Sequence, residues 1–188
     1  LLFASCASKQ KTQDIPPEPK VEEVKAPDVE KEDPKQEDVK PEVPKTDPLL
    51  ANLKLFQGEN GKVNKARKKA VELGADEAYP DFFNAADDVK QTADTAAETG
   101  NLKEAIAKYD EAVIKYETLS NLMSSAALRT EIEANGFAAY SPSDYADAER
   151  FSINTVDHYP LDHKMAKESS EDALKLYKKV VNKGYFEF

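Results

Sequence analysis

The chain has 188 residues, 36 acidic side chains against 26 Lys or Arg, a net charge of −10 and a single cysteine. So acidic a chain repels the phosphates that supply most nucleic-acid affinity, and no Lys/Arg cluster interleaved with aromatics relieves this, so DNA and RNA are not expected as partners. No run of about eighteen apolar residues occurs, so no segment reads as a membrane-spanning helix.

The one cysteine, Cys6, directly follows Leu1, Leu2, Phe3, Ala4 and Ser5. Alone it forms no internal disulfide, and its neighbours Ser5, Ala7 and Ser8 supply no charge to make it a reactive thiolate. An apolar run closing on small residues reads as the tail of a secretory signal peptide. With neither an initiator Met nor a basic leader ahead of it, the chain is expected to begin inside a longer gene product.

Leu2-Phe3-Ala4-Ser5-Cys6 resembles the lipobox of bacterial lipoproteins. Phe3 stands where that family usually carries Leu, a looser version of the kind found in spirochaetes. The resemblance implies that Cys6 takes a diacylglycerol on its sulfur and that the residues before it are removed. It also implies that the new amino terminus is acylated, for example with palmitate. Two or three acyl chains, at about 0.8 kcal/mol per buried CH₂, would hold the protein on a bilayer almost permanently. In enteric bacteria an Asp after the cysteine favours the inner membrane. Ala7 stands there instead, which by the same resemblance implies the outer membrane, facing the periplasm or the surface.

Residues 7–48 hold eight of the eleven prolines, eight Lys and twelve Asp or Glu, and no aromatic residue. Such a segment has almost nothing to bury against the entropy of ordering, so it is expected to be a disordered Pro/Glu/Lys-rich linker. Each proline biases its predecessor toward extended geometry, and at about 3.1 Å per residue the segment could reach toward about 130 Å. Docking of the prolines to a proline-recognising partner is the weaker reading, because no repeated PxxP carries a basic anchor.

From residue 49 the apolar period changes to about 3.6, and an all-α domain is expected over 49–188. Val63, Ala66, Ala70 and Leu73 mark one face of a helix over 61–73. Phe82, Ala85, Ala86, Val89, Ala93 and Ala96 mark a second over 81–99. Ala105, Tyr109, Ala112, Tyr116, Leu119 and Met123 mark a third over 102–134, opened by an Asn101/Glu104 capping box. Two more follow over 143–158 and 163–182, the first introduced by Ser141-Pro142-Ser143-Asp144. Gly74 and Pro80 recur 62 residues later as Gly136 and Pro142, with Phe83 matched by Tyr145 and Ala86 by Ala148. After a one-residue slip, Ala105, Ala112 and Tyr116 correspond to Ala166, Ala173 and Tyr177. Tyr109, Tyr116, Tyr145 and Tyr177 are expected in the core. The segment "TGNLKEAIAKYDEAVIKY", residues 99–116, is similar to the second helix of a tetratricopeptide repeat (TPR), although the helix before it lacks that family's Trp, Leu-Gly and Tyr pattern. Five helices are thus expected from the periodicity, and the resemblance implies that they pack as TPR-like antiparallel hairpins.

Chemistry-bearing patterns are sparse. Asp157, His158, Asp162 and His163 are the densest set of candidate metal ligands, but they straddle Tyr159-Pro160, a bend that does not force them to converge. A solvated turn whose acid caps the last helix is expected there, with no cofactor. Gly-x-Ser-x-Gly, P-loop and dinucleotide fingerprints are absent, so an enzyme is not expected. Asp87-Asp88 and Asp110-Glu111 read as wet helix faces. The terminal Tyr185, Phe186 and Phe188 are expected to fold back on the bundle rather than to form an exposed patch. The function expected is a lipid-anchored protein of the bacterial envelope whose helical repeats bind an envelope protein or organise the envelope. The competing function is a small-ligand- or cell-wall-binding accessory lipoprotein of the kind that serves transporters.

Overall fold

The computed structural model describes residues 47–187. Cys6, the segment 7–46 and Phe188 lie outside the described residues. Within them there are seven α-helices, one 3-10 turn and no strand, so the domain is all-α. The five expected helices are present as α2 (Lys62–Glu72), α4 (Pro80–Glu98), α5 (Leu102–Asn135), α6 (Pro142–His158) and α7 (His163–Glu187). The expected count of five is too low, because two short helices escape a pattern that needs several turns to become visible. One is α1 (Pro48–Phe56), which Asp47 opens by accepting the Leu49 N–H at 2.9 Å, with Pro48 at the first helical position. It buries Leu53 and Phe56, and the Phe56 ring stacks on Tyr109. The other is α3 (Ala75–Ala78), a single turn.

Residues 62 apart share more than identity. Gly74 and Gly136 both adopt left-handed φ, 80° and 68°, the region glycine enters without steric cost. Each is followed by one tight helical turn, α3 in the first case and the 3-10 turn Phe137–Tyr140 in the second. Tyr79 (φ −133°, ψ 59°) and Ser141 (φ −151°, ψ 62°) then lead into Pro80 and Pro142, each starting a helix. The two capping pairs differ from expectation. Asn101 and Ser141 send no side-chain bond to their helix backbones. Instead they meet Glu104 and Asp144 side chain to side chain, at 2.5 and 2.6 Å. Cap ψ values near 60–70° lie outside the extended geometry that aims a cap side chain at the first turn.

The 34-residue α5, about 50 Å long at 1.5 Å per residue, belongs to both halves. Its first part packs along α4 and α2, and its later part runs beside α7, which in turn packs along α6. Alanines form the seams: Ala70, Ala86, Ala93, Ala105, Ala112, Ala148 and Ala166 are fully buried. Small side chains let the helix axes approach closely, and aromatic rings fill the wider gaps. Tyr109, Tyr116 and Tyr177 are core residues, whereas Tyr145 is half-buried and packs at the edge of the second cluster. Leu73 is partly exposed.

Among the described residues the chain does not turn back after Gly184. Helix α7 continues to Glu187 because Gly184 lets it lie directly on Phe137, where a Cβ would stand 2.2 Å from the ring. Tyr185 packs edge-on to Phe137 at 4.9 Å and donates to Glu131, while Phe186 projects outward. Gly184→Ala would gain about 1 kcal/mol of helix propensity but overpack this contact at a cost of about 2 kcal/mol. A net loss of about 1 kcal/mol is therefore expected in urea unfolding. In a Phe137→Ala background the same substitution is expected to become stabilising.

Candidate functional site

Two sets of half-buried polar groups form clasps at equivalent places in the two repeats. In the first, α2 supplies Arg67, α4 supplies Asp87 and α5 supplies Tyr116. The Arg67 guanidinium donates to both Asp87 oxygens, at 2.7 and 2.9 Å, and the Tyr116 hydroxyl donates to Oδ1 of the same carboxylate. In the second, Arg129 of α5 forms an ion pair through Nε with Glu149 of α6 at 2.9 Å, and the Tyr177 hydroxyl of α7 donates to the same Glu149 oxygen at 2.6 Å. Arg67 and Arg129, and Asp87 and Glu149, are each 62 residues apart; Tyr116 and Tyr177 are 61 apart. Asp87 is thus not on a wet face, as its acidic neighbourhood suggested; Asp88 and Asp110 are exposed, and Glu111 is half-buried and holds Lys108. Burial alone would push the Asp87 carboxyl up, but the Arg67 and Tyr116 hydrogen bonds outweigh it and hold the carboxyl below its ordinary value. Burial, reinforced by Asp87, pushes the Tyr116 phenol up.

Beside each clasp lies a groove. The first is lined by Asn64, Arg67, Asp87, Lys90, Gln91 and Asp94, and Lys90 bridges to Asp94 at 2.8 Å. The second is a cavity of about 300 Å³ around Arg129, Glu149 and Tyr177. Its walls carry Leu122, Ser125, Ser152 and, at the mouth, Ile153, Val156 and Asp157. Ile153 is 61% exposed, and the enclosed Ser125 Oγ has no hydrogen-bond partner among the described residues.

The candidate metal ligands are not brought together, and no group of three His, Cys, Asp or Glu side chains is placed to hold a metal among the described residues. Asp162 caps α7, its Oδ1 accepting the N–H groups of Lys164 and Met165 at 3.0 and 3.1 Å. These bonds, Met165's first, hold its carboxyl below the ordinary value. His163 Nδ1 stands 4.0 Å from Glu111, His158 is half-buried, and Asp157 belongs to the cavity mouth. Tyr159, read as part of a bend, is a core residue joining the halves. Its ring stacks on Phe82 at 4.4 Å, its hydroxyl donates to the Phe82 carbonyl at 3.1 Å, and the buried Lys115 ammonium lies 4.6 Å over its face. Cys6 lies outside the described residues.

No protein-family model matches the chain. Treponemal membrane protein A of Treponema phagedenis is 35% identical over 136 residues, 70% of this chain and 40% of that protein. Treponemal membrane protein A of Treponema pallidum (strain Nichols) is 32% identical over 124 residues, 66% of this chain and 36% of that protein. The chain thus spans about two fifths of the length of these curated relatives. No solved structure matches. None of the helices among the described residues is long and apolar enough to cross a membrane.

Two pH-dependent outcomes follow from the half-buried Asp87 and the buried Lys115. The lowered Asp87 value contributes stability that is present above the ordinary 3.8 and lost as pH falls through the lowered value. Asp87→Asn is therefore expected to cost about 1 kcal/mol at pH 7 and progressively less below pH 4, read by urea unfolding. Burial lowers the Lys115 value, so its charge opposes folding until pH rises through that lowered value toward the ordinary 10.5. Over that window the wild-type chain should gain stability relative to Lys115→Met.

Proposed function

We propose that the chain is a membrane-associated spirochaetal protein, anchored in the cell envelope by lipid on Cys6, whose helical domain is a binding module. The likeness to two proteins named as treponemal membrane proteins, joined to the lipobox-like Leu2–Cys6, is the observation that carries this reading. Removal of residues 1–5 as signal peptide and acylation of Cys6 would make lipid the attachment, with Ala7 favouring the outer membrane. The proline-rich residues 7–48 would then serve as spacer between bilayer and domain. Stacked antiparallel helix pairs present grooves of the kind with which TPR-like modules bind peptides or other helices, which supports an envelope protein as partner.

The cavity beside Arg129, Glu149 and Tyr177 specifically favours a second reading, a ligand-binding accessory lipoprotein. At about 300 Å³ it is at the lower end of ligand-pocket sizes. Its neighbouring repeat lacks an equally apolar mouth.

Anchorage is tested in cells. Mass spectrometry of the membrane-extracted protein is expected to find acyl groups on Cys6, and Cys6→Ser is expected to move the protein into the aqueous phase of a detergent partition. An unmodified cysteine, or a Cys6→Ser protein that stays with the membrane, rules the lipid anchor out.

A further inference from the structure

The two grooves stand on one scaffold, so their differences can be read position by position. In the first, Lys90 supplies a cation from within, bonded to Asp94 at 2.8 Å and close enough to Asp87 to help lower its carboxyl. At the equivalent places in the second groove stand Ser152 and Val156, so both the lysine and its bridge are gone. Gln91 is replaced by Ile153, and the buried Val63 by Ser125, a smaller residue that leaves room. The enclosed Ser125 hydroxyl, on a residue only 3% exposed, finds no partner. Its helix neighbours Ser120 and Ser124 return theirs to carbonyls four residues back, at 3.0 and 2.8 Å, so a nearby solution was open to it. Buried polar groups left unsatisfied are uncommon and mark places where a missing partner belongs.

The charges favour a cation as that partner's head group. Arg129 Nε is already shared between Glu149 at 2.9 Å and Glu133 at 3.1 Å. The Asp157 side chain at the mouth makes no hydrogen bond or ion pair among the described residues. Within the cavity lining one guanidinium stands against two carboxylates, Glu149 and Asp157, an excess of negative charge that would repel an anion. Ile153 and Val156, on the same face of α6 as Asp157, offer an apolar track for an aliphatic stem.

We propose that the cavity lined by Ser125, Glu149, Ser152, Ile153, Val156 and Asp157 binds an alkylammonium group with an aliphatic stem, replacing from outside the lysine that the first repeat supplies from within. A free aliphatic amine and the lysine side chain of a protein share this chemistry. The inference rests on the domain being a binding module and is independent of its anchorage.

The test is titration of the ¹⁵N-labelled 188-residue chain with butylammonium, using butanol and butyrate as charge controls. Butylammonium is expected to shift the amides of Ser125, Ser152, Ile153 and Val156, and to bind more tightly than either control. Asp157→Asn, at an exposed position that leaves the fold alone, is expected to weaken butylammonium binding about fivefold without changing that of butanol. The double variant Ser152→Lys with Val156→Asp, which rebuilds the first groove's bridge, is expected to abolish it. Two further probes separate the sources: tighter binding of a blocked Ala-Lys-Ala peptide than of cadaverine assigns a protein lysine, and the reverse assigns a free amine. Equal binding of butanol, no amide shifts at the cavity, or full affinity in either variant would overturn the proposal. Membrane partition of Cys6→Ser is read separately and is untouched by any of these results.

Discussion

A carboxylate on the middle helix of each repeat, held between an arginine before it and a tyrosine after it, fixes how three helices meet. The need for it comes from the seams. Alanines let helices come close, but a methyl group is too small and too uniform to distinguish one register from the next turn along. A planar guanidinium donating through two nitrogens to Asp87 tolerates no such slip, and the Tyr116 hydroxyl brings the third helix to the same atoms. Hydrophobic burial supplies most of the driving force, while the clasp selects which of several similar packings is adopted. Its second copy, Arg129–Glu149–Tyr177, is built with the longer Glu and engages Arg129 through Nε.

Placing one helix in both repeats solves a further problem. A three-helix repeat ending in a loop would have to dock on its neighbour through side chains alone, and loose docking would leave the second core without a fixed orientation. Here Tyr116 and Arg129 belong to different clasps but to one unbroken α5, so the helix itself carries orientation from the first core to the second. Tyr159 closes the remaining freedom by inserting the α6–α7 turn against Phe82 of α4. A buried lysine over that ring is tolerated because the aromatic face and the Tyr159 carbonyl, 3.4 Å away, receive its charge.

Much of this arrangement was legible in the sequence, for a physical reason. The long helices advertise themselves through a 3.6 period sustained over many turns, and Gly74/Pro80 with Gly136/Pro142 betray the repeat because left-handed corners and first-turn prolines have few substitutes. Helices α1 and α3 are too short to show a period, and the alternation of their apolar residues is equally compatible with a loop. The clasps were hidden for another reason: Asp87 sits next to Asp88, and nothing in a charge pair tells which member turns inward. Only Arg67 and Arg129, repeating with the same offset as the glycines, carried that signal, and a search for repeated glycines and aromatics passes them by. At the Asp157–His163 turn the capping role of Asp162 was legible, whereas Tyr159 was read as part of the bend, because nothing in a Tyr-Pro pair tells that the ring turns inward onto Phe82.

The residues that hold the scaffold keep their type between repeats, namely Arg, acid, Tyr, Gly and Pro, while those around the groove do not. That contrast bears on why the second groove is open. Filling it needs no new backbone: a valine where Ser125 stands and a lysine bridge across Ser152 and Val156 are already proven on the same framework by Val63, Lys90 and Asp94. An enclosed hydroxyl without a partner, an adjoining void and two exposed apolar side chains each lower the stability of the free domain. A fold that contains its own remedy one repeat away, and does not apply it, retains the opening at a cost. The side of the balance that offsets this cost lies outside folding, in whatever enters the cavity and satisfies its serine and its excess of carboxylates.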